Sequence, residues 1–251
     1  MPRFLVALAF LLVVETTADA RELKAKLGPH AIAIQQAPDY LRRNPAPDYW
    51  ALSPYYVGQL SNSACSLAAI TMLVNALRGM PAQADERLVT QAALRDRVAN
   101  SEWTRRTSEN GGGIIWRAFA EYLSLSLASY GLDAQVEVFK PADNSAATLE
   151  RLRHLLDANE RSDRDIVLIY YNQGVVTGDW DGPHISPIGA YDGERKRVLI
   201  LDVDRDWYGP YWTSDEKLLE AMLRPAPARF GQLAGETGGI LHVMLRQTNS
   251  K

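Results

Sequence analysis

The chain predicts an α+β fold, with a helical first half and a mostly antiparallel sheet in the second. Two observations carry that reading. Apolar residues between Ala64 and Tyr130 recur at helical spacing, whereas after Gly131 short runs rich in valine, isoleucine and tyrosine read as strands separated by turns. Composition agrees: 47% hydrophobic and 23% charged residues with a net charge of −3 describe an ordinary globular chain. About 230 residues behind the N-terminal segment are enough to bury a sizeable core, as one domain or as two lobes around a cleft.

Taken in order, residues 1–20 have the layout of a secretory signal peptide. Met1-Pro2-Arg3 is a short basic start, Phe4 to Val14 is apolar, and Ala18-Asp19-Ala20 offers a small-x-small cleavage site before Arg21. The run is too short to span a bilayer comfortably, and no later segment approaches eighteen uninterrupted apolar residues. Residues 21–251 are therefore expected to form one exported domain, in a periplasmic setting, with no membrane partner after cleavage. From Arg21 to Pro54 the chain is punctuated by Pro29, Pro38, Pro45, Pro47 and Pro54 and is expected to wrap the surface. Helices are predicted over Ala64–Leu77, Glu86–Val98 and Ile114–Tyr130, then a strand over Gln135–Phe139 and a helix over Thr148–Leu156. Strands follow over Ile166–Tyr171, Ile185–Tyr191 and Val198–Val203, then a short helix over Lys217–Met222 and a closing strand over Ile240–Leu245.

Several function classes drop out. There is no basic run, no aromatic–basic interleaving and no zinc-finger spacing, so no nucleic-acid partner is expected. A single cysteine excludes cysteine-rich metal clusters. Asp202, Asp204 and Asp206 imitate the start of a calcium loop, but Trp207 stands where glycine is required and Thr213 where the final glutamate should be.

That one cysteine, Cys65, falls where a helix is expected to begin, behind the good N-cap residues Ser61, Asn62 and Ser63. The positive end of a helix dipole favours thiolate over thiol. Gln59, six residues upstream, is placed to present an amide to the same point. Two readings stand at this stage, a buried packing cysteine and an acyl-transfer nucleophile; an unpaired thiol in an exported protein favours the second.

A nucleophilic cysteine needs a base, and the chain has four histidines. His30 sits in the proline-rich entry, His154 beside Arg151 and Arg153 on a solvated helix face, and His242 among apolar residues as a satisfied sheet histidine. His184 differs by opening a strand just after the turn-rich segment from Thr177 to Pro183. Asp202 ends the apolar run Val198–Leu201, and the turn Asp192–Lys196 makes a hairpin that would bring Asp202 beside His184. On these residues alone Asp202 as a turn residue also fits.

Together the blocks resemble phytochelatin synthase. The stretch from Gln59 through Cys65 to Leu77 carries the first likeness, Tyr171–Val175 and Gly182–Tyr191 the second, and Leu199–Arg205 continuing to Met222 the third. They fall in family order and cover roughly residues 50 to 222. The resemblance implies a papain-like cysteine-protease fold with Cys65 as nucleophile, His184 as base, Asp202 as the acid that orients it, and Gln59 in the oxyanion hole. It implies that the Cys–Gly amide of glutathione is attacked and that a γ-glutamylcysteinyl thioester passes to water or to a second glutathione. Arg205 matches a motif arginine and is a candidate clamp for a substrate carboxylate, with a surface ion pair to Asp204 or Asp206 as the competing reading. Gly111-Gly112-Gly113 fits a flexible helix-entry loop better than an anion site. No tightly bound cofactor or protein metal site is implied; heavy-metal ions would arrive as metal–glutathione thiolates, that is, as substrate. Similar bacterial enzymes imply a homodimer.

Two departures from the family pattern stand out. Ser66 occupies the position after the nucleophile where glycine is usual, which puts close substrate approach in question. The cysteine-rich C-terminal extension of the eukaryotic enzymes has no counterpart here, so the chain looks like the short bacterial type, in which deglycination of glutathione tends to outweigh polymerisation. The competing functions are a papain-like peptidase of the bacteriocin-leader type and a non-catalytic exported metal- or thiol-binding module.

Overall fold

Asp165–Asn172 is buried at every one of its positions, and the rest of the molecule is built outward from it. The computed structural model describes residues 24–246, so the signal peptide expected over residues 1–20 lies outside the described residues. In chain order the elements are β1 (Ile32–Ala33), α1 (Asp39–Arg43), α2 (Pro47–Leu52), α3 (Cys65–Arg78), α4 (Gln91–Val98), α5 (Ser101–Arg106) and α6 (Trp116–Ser129). Then follow β2 (Ala134–Phe139), α7 (Ala146–Glu160), β3 (Asp165–Asn172), α8 (Gln173–Thr177), β4 (Pro183–Asp192), β5 (Arg197–Ile200), β6 (Tyr211–Ser214), α9 (Asp215–Leu223) and β7 (Gly239–Leu245). The expected α+β class is the one observed, with helices first and an antiparallel sheet afterwards.

The sheet has seven strands in the order β1-β6-β5-β4-β3-β7-β2, and every neighbouring pair is antiparallel. Both faces are covered. Ile166, Leu168 and Tyr170 of β3 join the core shared with Leu67, Leu73, Phe119 and Leu123 of α3 and α6. Val167, Ile169 and Tyr171 face the opposite core, made with Leu152 and Leu156 of α7 and Leu218 and Met222 of α9. A strand buried on both faces reads as a continuous apolar run, which is why Ile166–Tyr171 lacks alternation.

α3 is the helix that positions the site. From Ser66 to Asn75 it is buried all round, so packing rather than propensity holds it. Replacing the fully buried Leu73 by alanine would cost about 2–5 kcal/mol. The helix ends at Gly79, whose φ of 71° lies in the left-handed region that glycine tolerates without a Cβ penalty.

Three sequence expectations are corrected. The helix expected from Glu86 begins at Gln91, because the preceding segment is held in irregular form: Asn75 donates to the Val89 carbonyl and accepts from its N–H. The strand expected to reach Val203 stops at Ile200, where the chain leaves its partner; the Val203 N–H donates to the Ser186 hydroxyl instead. The proline-rich entry does more than wrap the surface. Its β1 extends the sheet by pairing with β6, and α2 packs on α3 and β4 with Ala46 and Leu52 fully buried.

Candidate active site

The β4–β5 hairpin assembles the first half of the site. Asp192 pairs with Arg197 and Tyr191 with Val198 around the expected turn, and the register shifts between Ile188 and Ala190. The residue at that bulge is Gly189, where a Cβ would lie 3.0 Å from the Leu201 side chain, so a larger residue would push the two chains apart. The hairpin ends place His184 and Asp202 side by side: His184 Nε2 lies 2.9 Å from Asp202 Oδ1. Cys65 approaches from the other half of the chain, as the first residue of α3, and comes close enough to the same imidazole for its sulfur to help raise the His184 pKa. Because Nε2 is engaged by the carboxylate, Nδ1 is the nitrogen left for sulfur.

Asp202 is fully buried and saturated with donors. Oδ1 accepts from His184 and, at 2.9 Å, from the Asp204 backbone N–H. Oδ2 accepts from Gln173 Nε2 at 2.7 Å and from the Tyr211 hydroxyl at 2.7 Å, with the Tyr171 hydroxyl 3.3 Å away and 2.8 Å from that of Tyr211. Burial works to raise the Asp202 pKa, but the His184 charge and these donors outweigh it and hold the group down at about 2. Burial likewise works to lower the His184 pKa, and the Asp202 charge and hydrogen bond, with Cys65 added, outweigh it and hold the imidazole well above its ordinary value. The geometry therefore favours a charged imidazolium between a buried carboxylate and a sulfur. Tyr171 and Tyr211 are also pushed up, first by burial and then by the Asp202 charge, and so remain neutral donors.

The expected N-caps are corrected. α3 is preceded by Ala64, and no side chain caps it. Ser61 instead donates to the Thr107 carbonyl, Asn62 binds Asn110 through both ends of its amide, and Ser63 accepts from the Gly112 N–H. The polar triplet thus ties the loop before α3 to the 107–112 loop and leaves the first N–H groups of α3 free of side-chain caps. Ser66 also turns inward, to the core. It is buried, and its hydroxyl accepts the indole N–H of fully buried Trp103 at 3.1 Å.

Cys65 and His184 open onto a cleft of about 840 Å³, a volume suited to a small peptide. Gln59 lines it beside them. Further wall residues include Gly112, Trp180, Trp207, Tyr208 and Phe230, with four carboxylates, Glu109, Asp179, Asp204 and Asp206. Burial raises the pKa of half-buried Asp204, partly offset by the His184 charge. No lysine or arginine lines the cleft among the described residues. Arg205 is accordingly not brought to the cleft wall. Its guanidinium lies 4.4 Å from the centre of the Tyr56 ring, and its stem fills the space beside Gly58. This differs from the carboxylate clamp expected, because the chain after Asp202 turns that side chain outward; nor does it pair with Asp204 or Asp206 among the described ion pairs.

The other histidines stand apart from the cysteine. His242 pairs with Asp165 at 2.6 Å, and His154 and His30 are exposed. Gln173, Tyr171, Tyr211 and Tyr56, whose hydroxyl donates to the Asp202 carbonyl, were not singled out from sequence. Tyr171 and Gln173 fall within the family-like block Tyr171–Val175, whereas Tyr56 and Tyr211 carry no signal along the chain that ties them to Asp202. Among the described residues no group of three or more His, Cys, Asp or Glu is arranged to hold a metal ion.

Comparison with known proteins adds a name to this geometry. Glutathione gamma-glutamylcysteinyltransferase 1 of Arabidopsis thaliana is 27% identical over 185 residues, covering 72% of this chain and 35% of its own length. The enzyme of the same name numbered 3 in Lotus japonicus is 26% identical over 183 residues, covering 69% and 34%. The chain thus spans about a third of the length of these curated relatives. Among solved structures, the Pseudomonas avirulence protein AvrPphB matches 77% of this chain and all of its own at 13% identity, with a TM-score of 0.36, too low to carry an argument. The phytochelatin synthase family profile matches residues 32–228, which include the cysteine, the histidine and the carboxylate, and the chain belongs to the phytochelatin synthase family.

Proposed function

We propose that this protein is an acyltransferase that cleaves the Cys–Gly amide of glutathione through a γ-glutamylcysteinyl thioester on Cys65. The observation that carries the proposal is the buried imidazole of His184, held between the Cys65 thiol and the Asp202 carboxylate at the edge of a peptide-sized cleft. Curated relatives bearing a glutathione gamma-glutamylcysteinyltransferase name supply the substrate class.

The steps follow from the parts. Sulfur, as the thiolate of an ion pair with His184, attacks the carbonyl carbon of the cysteinyl residue, and the C=O electron pair moves onto oxygen. Gln59 and the uncapped N–H groups at the start of α3 are the donors available to that oxygen, each worth about 10²–10³ in rate. As the tetrahedral intermediate collapses, the C–N bond breaks and His184 gives its proton to the departing glycine nitrogen. Asp202 keeps the imidazole oriented throughout. Water then attacks the thioester and releases γ-glutamylcysteine, or the amine of a second glutathione attacks and lengthens the peptide. His184 takes the proton of the incoming nucleophile in either case.

The carboxylate-rich wall bears on what enters. Asp179 is paired with Lys24 and Lys26, and the Lys26 ammonium lies over the Trp207 and Tyr208 rings, so Glu109, Asp204 and Asp206 are the carboxylates left to favour an ammonium group of the substrate. Within this proposal metal acts as part of the substrate, and the exported, periplasmic setting rests on the N-terminal sequence. Mass spectrometry of the protein with glutathione, with and without cadmium and beside Cys65→Ala, tests the reading. A Cys65-dependent thioester and released glycine are expected; their absence under every condition would sink it. Cleavage of a double-glycine leader peptide instead would favour the peptidase.

A further inference from the structure

We propose that Gln91 is a positioning residue for the oxyanion donor Gln59, acting through the backbone on either side of it. The inference rests on reading Cys65 as an acyl-transfer nucleophile and does not depend on glutathione as the substrate.

Gln59 is poorly anchored by its own side chain. Among the described residues its Oε1 is buried without a hydrogen-bond partner, a state that costs free energy and leaves the amide free to reorient. The main chain is what is held. On one edge the Gln59 N–H donates to the Val203 carbonyl at 2.8 Å, one residue beyond Asp202. On the other edge Gln91 spans the residue: its Nε2 donates to the Gly58 carbonyl at 2.8 Å, and its Oε1 accepts from the Leu60 N–H at 3.3 Å. One planar amide thus makes the pair of bonds a neighbouring β-strand would make, and the two partners dictate which end is oxygen and which nitrogen.

The support behind Gln91 is firm. It is 6% exposed and is the first residue of α4, whose start is capped by Thr90 and whose Leu94 is fully buried. Glutamine is the residue type that meets both needs: leucine offers neither bond, and an ionised glutamate offers an acceptor alone. Releasing the bridge lets the 58–60 segment shift, and a displacement near 1 Å at a catalytic donor costs about 10²-fold.

The test compares two reactions of Cys65. Acylation by p-nitrophenyl acetate passes through a tetrahedral oxyanion; alkylation by iodoacetamide does not. Gln91→Met should slow acylation by about 10–100-fold and leave alkylation within about twofold. In a Gln59→Ala background the same change should cost less than about twofold, because the donor it positions is gone. Gln91→Glu provides a second variant: its acylation rate relative to the unmodified protein should recover as pH falls and the carboxyl regains a proton to donate. Equal losses in both backgrounds, acylation and alkylation falling together, or unchanged acylation in a folded variant would each overturn the proposal. An unmodified Cys65 that alkylates but never acylates would overturn it together with the acyl-transfer reading. Acylation by the ester without a thioester from glutathione would remove only the substrate assignment.

Discussion

The hydroxyl of Tyr211 lies 2.7 Å from Oδ2 of Asp202, on the side of the carboxylate away from His184. Both groups are fully buried, so the phenol has no competing water and Asp202 stays ionised partly because of it. Its folded pKa is depressed to about 2, from an ordinary value near 4. The stability it contributes is therefore present above the ordinary value and is lost as pH falls toward 2. Tyr211→Phe should cost about 1.5–3 kcal/mol, as expected for a hydrogen bond to a charged group. It should also move the acid limb of urea-unfolding stability to higher pH. An acid limb that does not move would show that the other donors, His184, Gln173 and the Asp204 N–H among them, set the carboxylate without Tyr211.

The imidazole carries the opposite sign. His184 is raised above its ordinary 6.5 by Asp202 and Cys65 against the pull of burial. Its contribution to stability is complete below 6.5 and declines as pH rises toward about 10. In Asp202→Asn the burial effect is left with one opponent fewer, so an NMR titration of His184 should give a pKa lower by more than about one unit. Equal values in the two proteins would place the source of the shift elsewhere.

Ser66 and Trp103 make a third prediction. Ser66→Ala removes the acceptor for a fully buried indole N–H, at about 1–3 kcal/mol. Ser66→Gly should cost more, because it loses the same acceptor and adds about 0.5–1 kcal/mol of helix entropy. Thermal unfolding would show both losses, while turnover of the folded fraction should stay within about twofold because the hydroxyl points away from the cleft. A faster Ser66→Gly enzyme would mean that the serine does crowd the substrate.

Arg205 separates two roles. Stacked on Tyr56 and absent from the cleft wall, it should contribute about 0.5–1 kcal/mol through the ring. Arg205→Ala should leave KM for glutathione within about threefold. A tenfold rise in KM would restore the carboxylate clamp that its position after Asp202 suggests.

How much of this was legible beforehand depends on the range of the interaction. The helix behind Cys65, the β4–β5 hairpin and the closing strand follow from periodicity and turn residues acting over a dozen positions, and the boundaries came within a few residues. β1 and β6 were missed because two and four residues are too few for a period to show. The caps at 61–63 were misjudged because serine and asparagine serve a loop as readily as a helix end, and the 107–112 loop that takes them lies far along the chain.

The sequence by itself determined the α+β class, the lone cysteine at a helix start and the β4–β5 hairpin, since each rests on neighbours within about twenty positions. Tertiary structure alone decided the rest: that Asp202 meets His184 beside Cys65, which donors surround Asp202, where Arg205 points and how Gln91 grips the chain around Gln59. The reason is physical. Apolar burial is periodic and announces itself along a chain, whereas a polar side chain's partner is chosen by direction and distance once the elements have packed.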